Sequence, residues 1–151
     1  MPELWIGLIV IVLILVAILV VLEFNRKRFI LSIEEKLKKY GTLEKANNVN
    51  HGYVLKTNTT TYHIKLIYAP GASEVSFNSK RHWQVFSGSK KLMLPTHGFQ
   101  DKEGNKILLI YPQPGKIVKY INENEVVFVN LKMDVFGMNV VHINQLDAYF
   151  E

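Results

Sequence analysis

The side chains that could bind a metal or transfer a proton are scattered along this chain. Histidines stand at positions 51, 63, 82, 97 and 142, and no two of them have the spacing of metal ligands. The acidic residues Asp101 and Glu103 lie in a polar loop beside Gly104, where exposure to water accounts for their charges. Cysteine is absent, and neither a phosphate-binding glycine loop nor a nucleophile elbow occurs. We therefore predict no catalytic residue, no metal site and no cofactor, and an enzyme is the least favoured class of function.

One group of residues has the composition of a binding patch, because cations stand beside an indole in it. Such a combination can bind phosphate groups, stack on nucleic-acid bases or contact anionic lipid headgroups. The competing interpretation is a turn between strands whose tryptophan packs in the core and whose lysines face water. We favour that interpretation because tryptophan is mostly buried in small domains. The candidate binding patch comprises Asn78, Lys80, Arg81, Trp83, Lys90 and Lys91.

The clearest feature of the chain is its apolar start. The segment from Leu4 to Leu22 contains no charged side chain, and among its side chains only that of Trp5 can form a hydrogen bond. A helix of this length rises about 28 Å, close to the thickness of the hydrocarbon core of a bilayer. A signal peptide would need basic residues before the apolar run and a small-residue cleavage site after it, and the sequence has neither. The sequence predicts an uncleaved transmembrane anchor over residues 1–24.

The distribution of charge predicts how this anchor is oriented. All 18 lysine and arginine residues follow the apolar segment, beginning with Arg26, Lys27 and Arg28. Basic flanks stay on the cytoplasmic side of a membrane, where they contact the inner leaflet. We predict a single-pass protein of the cell membrane with its N-terminus outside. A basic juxtamembrane helix or linker is expected over residues 25–50 and a cytoplasmic α+β domain over residues 51–151.

The remaining pattern predicts an α+β fold with a small, mostly antiparallel sheet and flanking helices. Phe29–Tyr40 has helical spacing and stops before Gly41, which accepts the left-handed conformation of a helix end, and the capping pattern Ser32–Glu35 also allows the helix to restart there. Lys116–Glu123 and Val140–Phe150 carry further helical stripes. No repeat with a period of 20–50 residues is found. Apolar runs predict strands at 53–55, 62–68, 74–77, 82–86, 92–94, 106–111 and 126–129.

The predicted order of one helix, three strands, a helix and a strand is similar to that of the restriction-endonuclease-like core. Nucleases of that class hold Mg²⁺ with an acidic residue on one strand and an acid-x-lysine motif on the next. Here the buried run Ile107–Ile110 contains no acid, and Asn130 stands where the motif ending at Lys132 would need a carboxylate. The analogy therefore implies a degenerate scaffold without its metal site.

These observations lead to two hypotheses about function. The first is a membrane-anchored protein whose cytoplasmic domain acts as a non-catalytic binding or scaffolding module for a protein partner at the inner leaflet. The alternative is a nucleic-acid-binding or anionic-lipid-binding module on the degenerate nuclease-like scaffold. Lysines and arginines that converge on one face, and an affinity that falls steeply with salt, would favour the alternative.

Overall fold

The computed structural model of the chain describes residues 1–47, 49, 51–96 and 98–151. The chain divides into two compact units, Met1–Lys39 and Tyr40–Glu151. Within the described residues, the first unit is a single helix, α1, and the second contains ten strands and a short helix. The fold class predicted from the sequence, α+β, is confirmed.

Helix α1 runs without a break over Pro2–Lys38, so the helix does not restart at Ser32. By its length and composition it is apolar enough to cross a membrane. Pro2 suits the first turn because a backbone N–H has no partner within the helix there and proline lacks one. Lys36 and Lys38 suit the last turn because the helix dipole is negative at that end. The apolar start of the sequence and the helical segment after it are therefore one element.

Gly41 has a different role from the one that the sequence suggests. The helix already ends at Lys38, and the φ angle of Gly41 lies outside the left-handed region. A Cβ atom on Gly41 would lie 2.1 Å from the carbonyl oxygen of Lys56, the residue that pairs with Thr42 in the first strand ladder. Glycine is needed at this position because two backbone segments approach closely, and the prediction of a left-handed helix stop is wrong.

The strands of the second unit form two five-stranded sheets. In chain order they are β1 (Thr42–Lys45), β2 (Gly52–Lys56), β3 (Thr61–Tyr68), β4 (Glu74–Ser79), β5 (His82–Ser87), β6 (Lys90–Leu94), β7 (Asn105–Tyr111), β8 (Lys116–Asn122), β9 (Glu125–Phe128) and β10 (Asn139–His142). Sheet A has the order β1-β2-β3-β7-β10, and sheet B has the order β6-β5-β4-β8-β9. A 3-10 turn and the short helix α2 (Leu146–Phe150) follow β10.

The two sheets share one core. Ile67 and Leu108 of sheet A and Phe77 and Trp83 of sheet B belong to the same buried cluster. Among the strand pairs that the structure describes, five are antiparallel and three are parallel. The antiparallel majority agrees with the prediction, but the small sheet expected from the sequence is in fact two mixed sheets.

Two of the parallel pairs arise from a repeated unit that crosses from sheet A to sheet B. The tripeptide Leu66-Ile67-Tyr68 of β3 lies residue for residue against Leu109-Ile110-Tyr111 of β7, and β4 and β8 pair in the same way in sheet B. The loops that cross between the sheets are also bonded, because Gly115 N donates to the carbonyl of Ala72 at 3.0 Å. The two connections from sheet A to sheet B therefore lie side by side, although the sequence shows no repeat with a period of 20–50 residues.

Two of the predicted helices are also corrected. Lys116–Glu123 is mostly the strand β8, in which Ile117 and Val118 are buried on opposite faces of sheet B. Its β-branched and aromatic residues favour a strand, and the backbone N–H of Asn124 donates to Asn122 Oδ1 at 2.9 Å in the turn that follows. In the segment Val140–Phe150, the first three residues belong to β10, and the helical part begins at Ile143 with the 3-10 turn that leads into α2.

Candidate binding surface

The structure separates the residues of the candidate binding patch into two groups. Lys80 and Arg81 lie in the turn between β4 and β5, with Asn78 just before it. Lys90 and Lys91 begin β6, at the other end of β5. The charges of this patch therefore do not all converge on one place.

The turn between β4 and β5 is fastened to the loop that precedes β7. The side-chain nitrogens of Trp83 and Gln100 each donate a hydrogen bond to the carbonyl oxygen of Lys80, both at 3.1 Å. Arg81 forms an ion pair with Asp101 in the same loop. Trp83 is fully buried, and its ring meets Phe99 edge to face at 6.4 Å. The indole is thus part of the core and does not present a face for stacking.

Two basic residues of sheet A lie close to the loop that precedes β7. Lys106 is buried, and its ammonium group donates to the carbonyl oxygen and to Oε1 of Gln100 at 3.0 and 3.2 Å. His63 lies beside Lys106 in the parallel ladder, and its Nδ1 is buried without a hydrogen-bond partner. Burial, followed by repulsion from Lys102 and Lys106, lowers the pKa of His63. Burial also lowers the pKa of Lys106, with a smaller effect from Lys80.

Strand β6 places Lys90 and Lys91 on an open edge of sheet B. In the part of the chain that the structure describes, β6 pairs with β5 alone. Leu92 pairs with the buried Val85, so its side chain points to the inner face of the sheet, yet it is 64 % exposed. Met93 points to the outer face and is 48 % exposed. The edge therefore combines two cations with two uncovered apolar side chains.

A cavity lies on each side of this strand. The first, which we call the edge cleft, has a volume of about 440 Å³ and lies between β6 and the start of the loop after β3. The hydroxyl of Ser87 donates to the carbonyl of Gly71 at 3.2 Å and ties that loop to β5. The edge cleft is lined by Tyr68, Ala69, Pro70, Val85, Ser87, Lys90, Lys91 and Leu92.

The second cavity lies on the outer face of sheet B and has a volume of about 520 Å³. We call it the outer groove. The ammonium group of Lys91 lies 5.9 Å from the ring centroid of Phe86, within reach of a cation–π interaction. The structure thus brings Asn78 and Lys91 of the predicted patch to one cavity. The outer groove is lined by Asn78, Gln84, Phe86, Lys91, Tyr120, Asn122 and Glu123.

The four edge strands of the two sheets differ in what they expose. The carboxylate of Glu44 on β1 forms an ion pair at 3.4 Å with the ammonium of Lys56 on the neighbouring strand β2. The edge strand β10 is buried in its middle. Strand β9 exposes Val126 and Phe128 but begins with Glu125. Within the described residues, β6 is thus the edge that joins exposed apolar side chains to cations and to open cavities.

The residues predicted to meet the inner leaflet lie on α1. Lys27 and Arg28 are exposed, and the guanidinium of Arg26 lies 3.8 Å from the carboxylate of Glu23, one turn earlier. Leu4 and Leu22, the predicted ends of the membrane-spanning segment, are exposed positions of the same helix.

The part of the chain that the structure describes contains no group of three histidine, cysteine or carboxylate side chains that could hold a metal ion. The nuclease analogy also loses its second helix, because that segment is β8. No protein-family model, no curated protein and no solved structure matches this chain.

Several residues of these cavities were not singled out from the sequence. Leu92 and Met93 belong to the run Lys-Lys-Leu-Met-Leu, whose lack of any acidic residue was a usable signal. Tyr68, Phe86 and Tyr120 carry no such signal, because aromatic residues in strands are ordinarily part of a core.

Proposed function

We propose that this chain is a single-pass membrane protein whose sheet domain binds a membrane-associated protein at the cytoplasmic face, without catalysing a reaction. The observation that carries the proposal is the open edge strand β6 with cavities along both of its faces. Edge strands bind extended segments through main-chain hydrogen bonds, and the neighbouring cavities select side chains.

Helix α1 supports the membrane part of this proposal, since it is long and apolar enough to cross a bilayer. The basic run from Arg26 to Arg28 favours a cytoplasmic location for everything that follows, by the positive-inside rule. On this arrangement the anchor covers residues 1–24, the juxtamembrane segment residues 25–50 and the binding domain residues 51–151, and the strand β1 of the juxtamembrane segment pairs with the domain in sheet A.

The anchor would contribute to binding without touching the partner. Two proteins confined to the same leaflet meet at a raised effective concentration, so a weak interface suffices. The buried Trp83 and the pairing of Arg81 with Asp101 weigh against nucleic acid as the ligand, because they remove a stacking surface and a free cation. The experiment must also distinguish binding to a protein from binding to anionic lipid.

The test is photo-crosslinking of the full chain in native membranes. A photoreactive residue replaces Asn58, Leu92 or Phe128, which are exposed positions in three parts of the sheet domain. We expect a discrete protein adduct from at least one position, retained through a high-salt wash. A chain whose residues 1–24 are exchanged for an unrelated membrane helix should give the same adduct, because the domain and not the anchor makes the contact.

Two results would contradict the proposal. One is the absence of any protein adduct at all three positions. The other is an adduct of lipid or nucleic acid alone whose yield falls steeply between low and moderate salt, which would favour the alternative function.

A further inference from the structure

We propose that β6 accepts an extended segment of the partner as a sixth strand of sheet B, and that this segment joins alternate apolar residues to one or more acidic residues. This inference rests on the proposed function and names the site and the chemistry of the partner. Its starting point is the edge itself, because an edge strand has backbone N–H and C=O groups that its own sheet leaves unused.

The side chains of β6 indicate where those of an added strand would go. In a strand successive side chains point to opposite faces, and directly paired residues share a face. A residue placed opposite Leu92 therefore points into the edge cleft, towards Tyr68 and Pro70. A residue placed opposite Met93 points to the outer face of sheet B, the face on which the outer groove lies, and is separated from Gln84 by Met93. Both cavities are within the size range of ligand pockets.

The charges indicate an acidic partner. Lys90 and Lys91 are exposed, and none of the ion pairs found among the described residues includes either of them. Both stand at the start of β6, so the matching carboxylates belong at one end of the added strand. Glu123 lines the outer groove and disfavours an acidic residue near it. The expected segment is thus apolar in its middle and acidic at the end that meets Lys90.

The same lysines argue against a second copy of this chain as the occupant. Two antiparallel β6 strands paired about a twofold axis would place four lysines and no carboxylate along one short ladder, so a second copy supplies no opposite charge for Lys90 and Lys91. Lysine on an edge strand is a common protection against self-association. A partner that carries carboxylates converts that protection into selectivity.

The experiment uses the full chain in nanodiscs of neutral lipid and a library of random dodecapeptides displayed on phage. We expect the selected peptides to combine acidic residues with alternating apolar ones. A fluorescent copy of one such peptide should bind the chain and slow amide hydrogen exchange in β6. Reversing both charges, with Lys90→Glu and Lys91→Glu, should weaken binding by roughly tenfold.

A matched control and a rescue sharpen this test. Lys45→Glu changes an exposed lysine on the edge strand of the other sheet, and it should leave the affinity unchanged. A peptide in which lysine replaces the acidic residues should bind the doubly reversed chain better than it binds the original. A variant that had lost its fold would bind neither the acidic peptide nor the lysine peptide, so misfolding cannot explain a switch in which peptide is preferred.

Each other outcome overturns the inference. Selected peptides without acidic residues, or protection that falls on β9, would place the site elsewhere. Protection of β6 by vesicles containing phosphatidylglycerol, with no peptide selected, would make the edge a lipid-binding surface. Protection that grows with chain concentration alone would make it a self-association surface.

The two proposals fail in different ways. A partner that crosslinks in membranes but is indifferent to reversal of Lys90 and Lys91 leaves the proposed function intact and removes this site. Peptides that bind β6 while no membrane protein is captured leave the site and remove the proposed function.

Discussion

The indole nitrogen of Trp83 donates a hydrogen bond to the backbone carbonyl of Lys80, 3.1 Å away across the turn between β4 and β5. A lysine and a tryptophan close together in the sequence suggest a ligand site, but here the indole contacts the main chain of the lysine and not its ammonium group. The lysine side chain stays exposed while the ring enters the core beside Phe77 and Phe99. This relationship separates a structural turn from the binding surface that we propose on β6.

The ring cluster around Trp83 should be a major source of stability. Phe99→Ala removes a fully buried ring and should lower the free energy of unfolding by about 3–5 kcal/mol. Phe128→Ala removes a ring that is 68 % exposed and should change it by less than about 0.5 kcal/mol. Denaturant titration of the full chain in detergent, followed by Trp83 fluorescence in a Trp5→Phe background, measures both. Equal effects would show that the cluster does not hold the turn.

The stacked crossover loops depend on a glycine. A Cβ atom at Gly115 would lie 2.5 Å from the carbonyl oxygen of Ser73, which accepts a hydrogen bond from Lys116 N. Gly115→Ala forces these loops apart and should cost about 1–3 kcal/mol of unfolding free energy. Lys116→Ala, a truncation of the exposed neighbouring side chain, should have little effect in the same titration. A stable Gly115→Ala chain with unchanged exchange rates in β4 and β8 would contradict this account.

Some of the fold could be read from residue types alone. The apolar run that begins at Leu4 identifies α1, because a helix is the only structure that satisfies a lone backbone segment in lipid. The continuous apolar run from Ile107 to Ile110 identifies a strand covered on both faces. These patterns lie within one stretch of sequence, so they can be recognised without knowing which distant residues pack against that stretch.

The division into two sheets could not be predicted, because it depends on pairings between distant residues. The tripeptide Leu66-Ile67-Tyr68 recurs at position 109, yet three residues are too few to establish a repeat by sequence. In β8 the stripe of Ile117, Tyr120 and Ile121 fits a helix, whereas the β-branched residue types and the pairing with β4 favour the strand that forms. Arg81 and Lys90 were likewise placed in one predicted patch because they are close in the sequence, although they lie at opposite ends of β5.

The half-buried His63 of sheet A should make the domain sensitive to acid. Burial and the neighbouring lysines hold the folded-state pKa of His63 below its ordinary value of 6.5. The unfolded chain therefore takes up the proton first as the pH falls. The stability that this neutral histidine contributes is fully present above about pH 6.5 and is lost as the pH falls through the folded-state pKa.

Denaturant titrations at pH 7.5 and 5.5 check this dependence. The original chain should lose stability between the two, and His63→Gln, which stays neutral, should lose less. His142 also has a pKa lowered by burial, so some dependence should remain in that variant. An identical loss in both chains would show that His63 does not contribute.

The orientation of the anchor can be measured directly, because the chain contains no cysteine. Single substitutions Glu3→Cys and Asn58→Cys each introduce one exposed thiol, on either side of the apolar run. In intact cells a membrane-impermeant maleimide should label Glu3→Cys, whereas Asn58→Cys should react only after the membrane is permeabilised. The basic run from Arg26 to Arg28 predicts this orientation, so replacing it with glutamate should raise the labelling of Asn58→Cys in intact cells. Labelling of Asn58→Cys without any such change would place the sheet domain outside, and the acidic partner proposed for β6 would then have to be sought there.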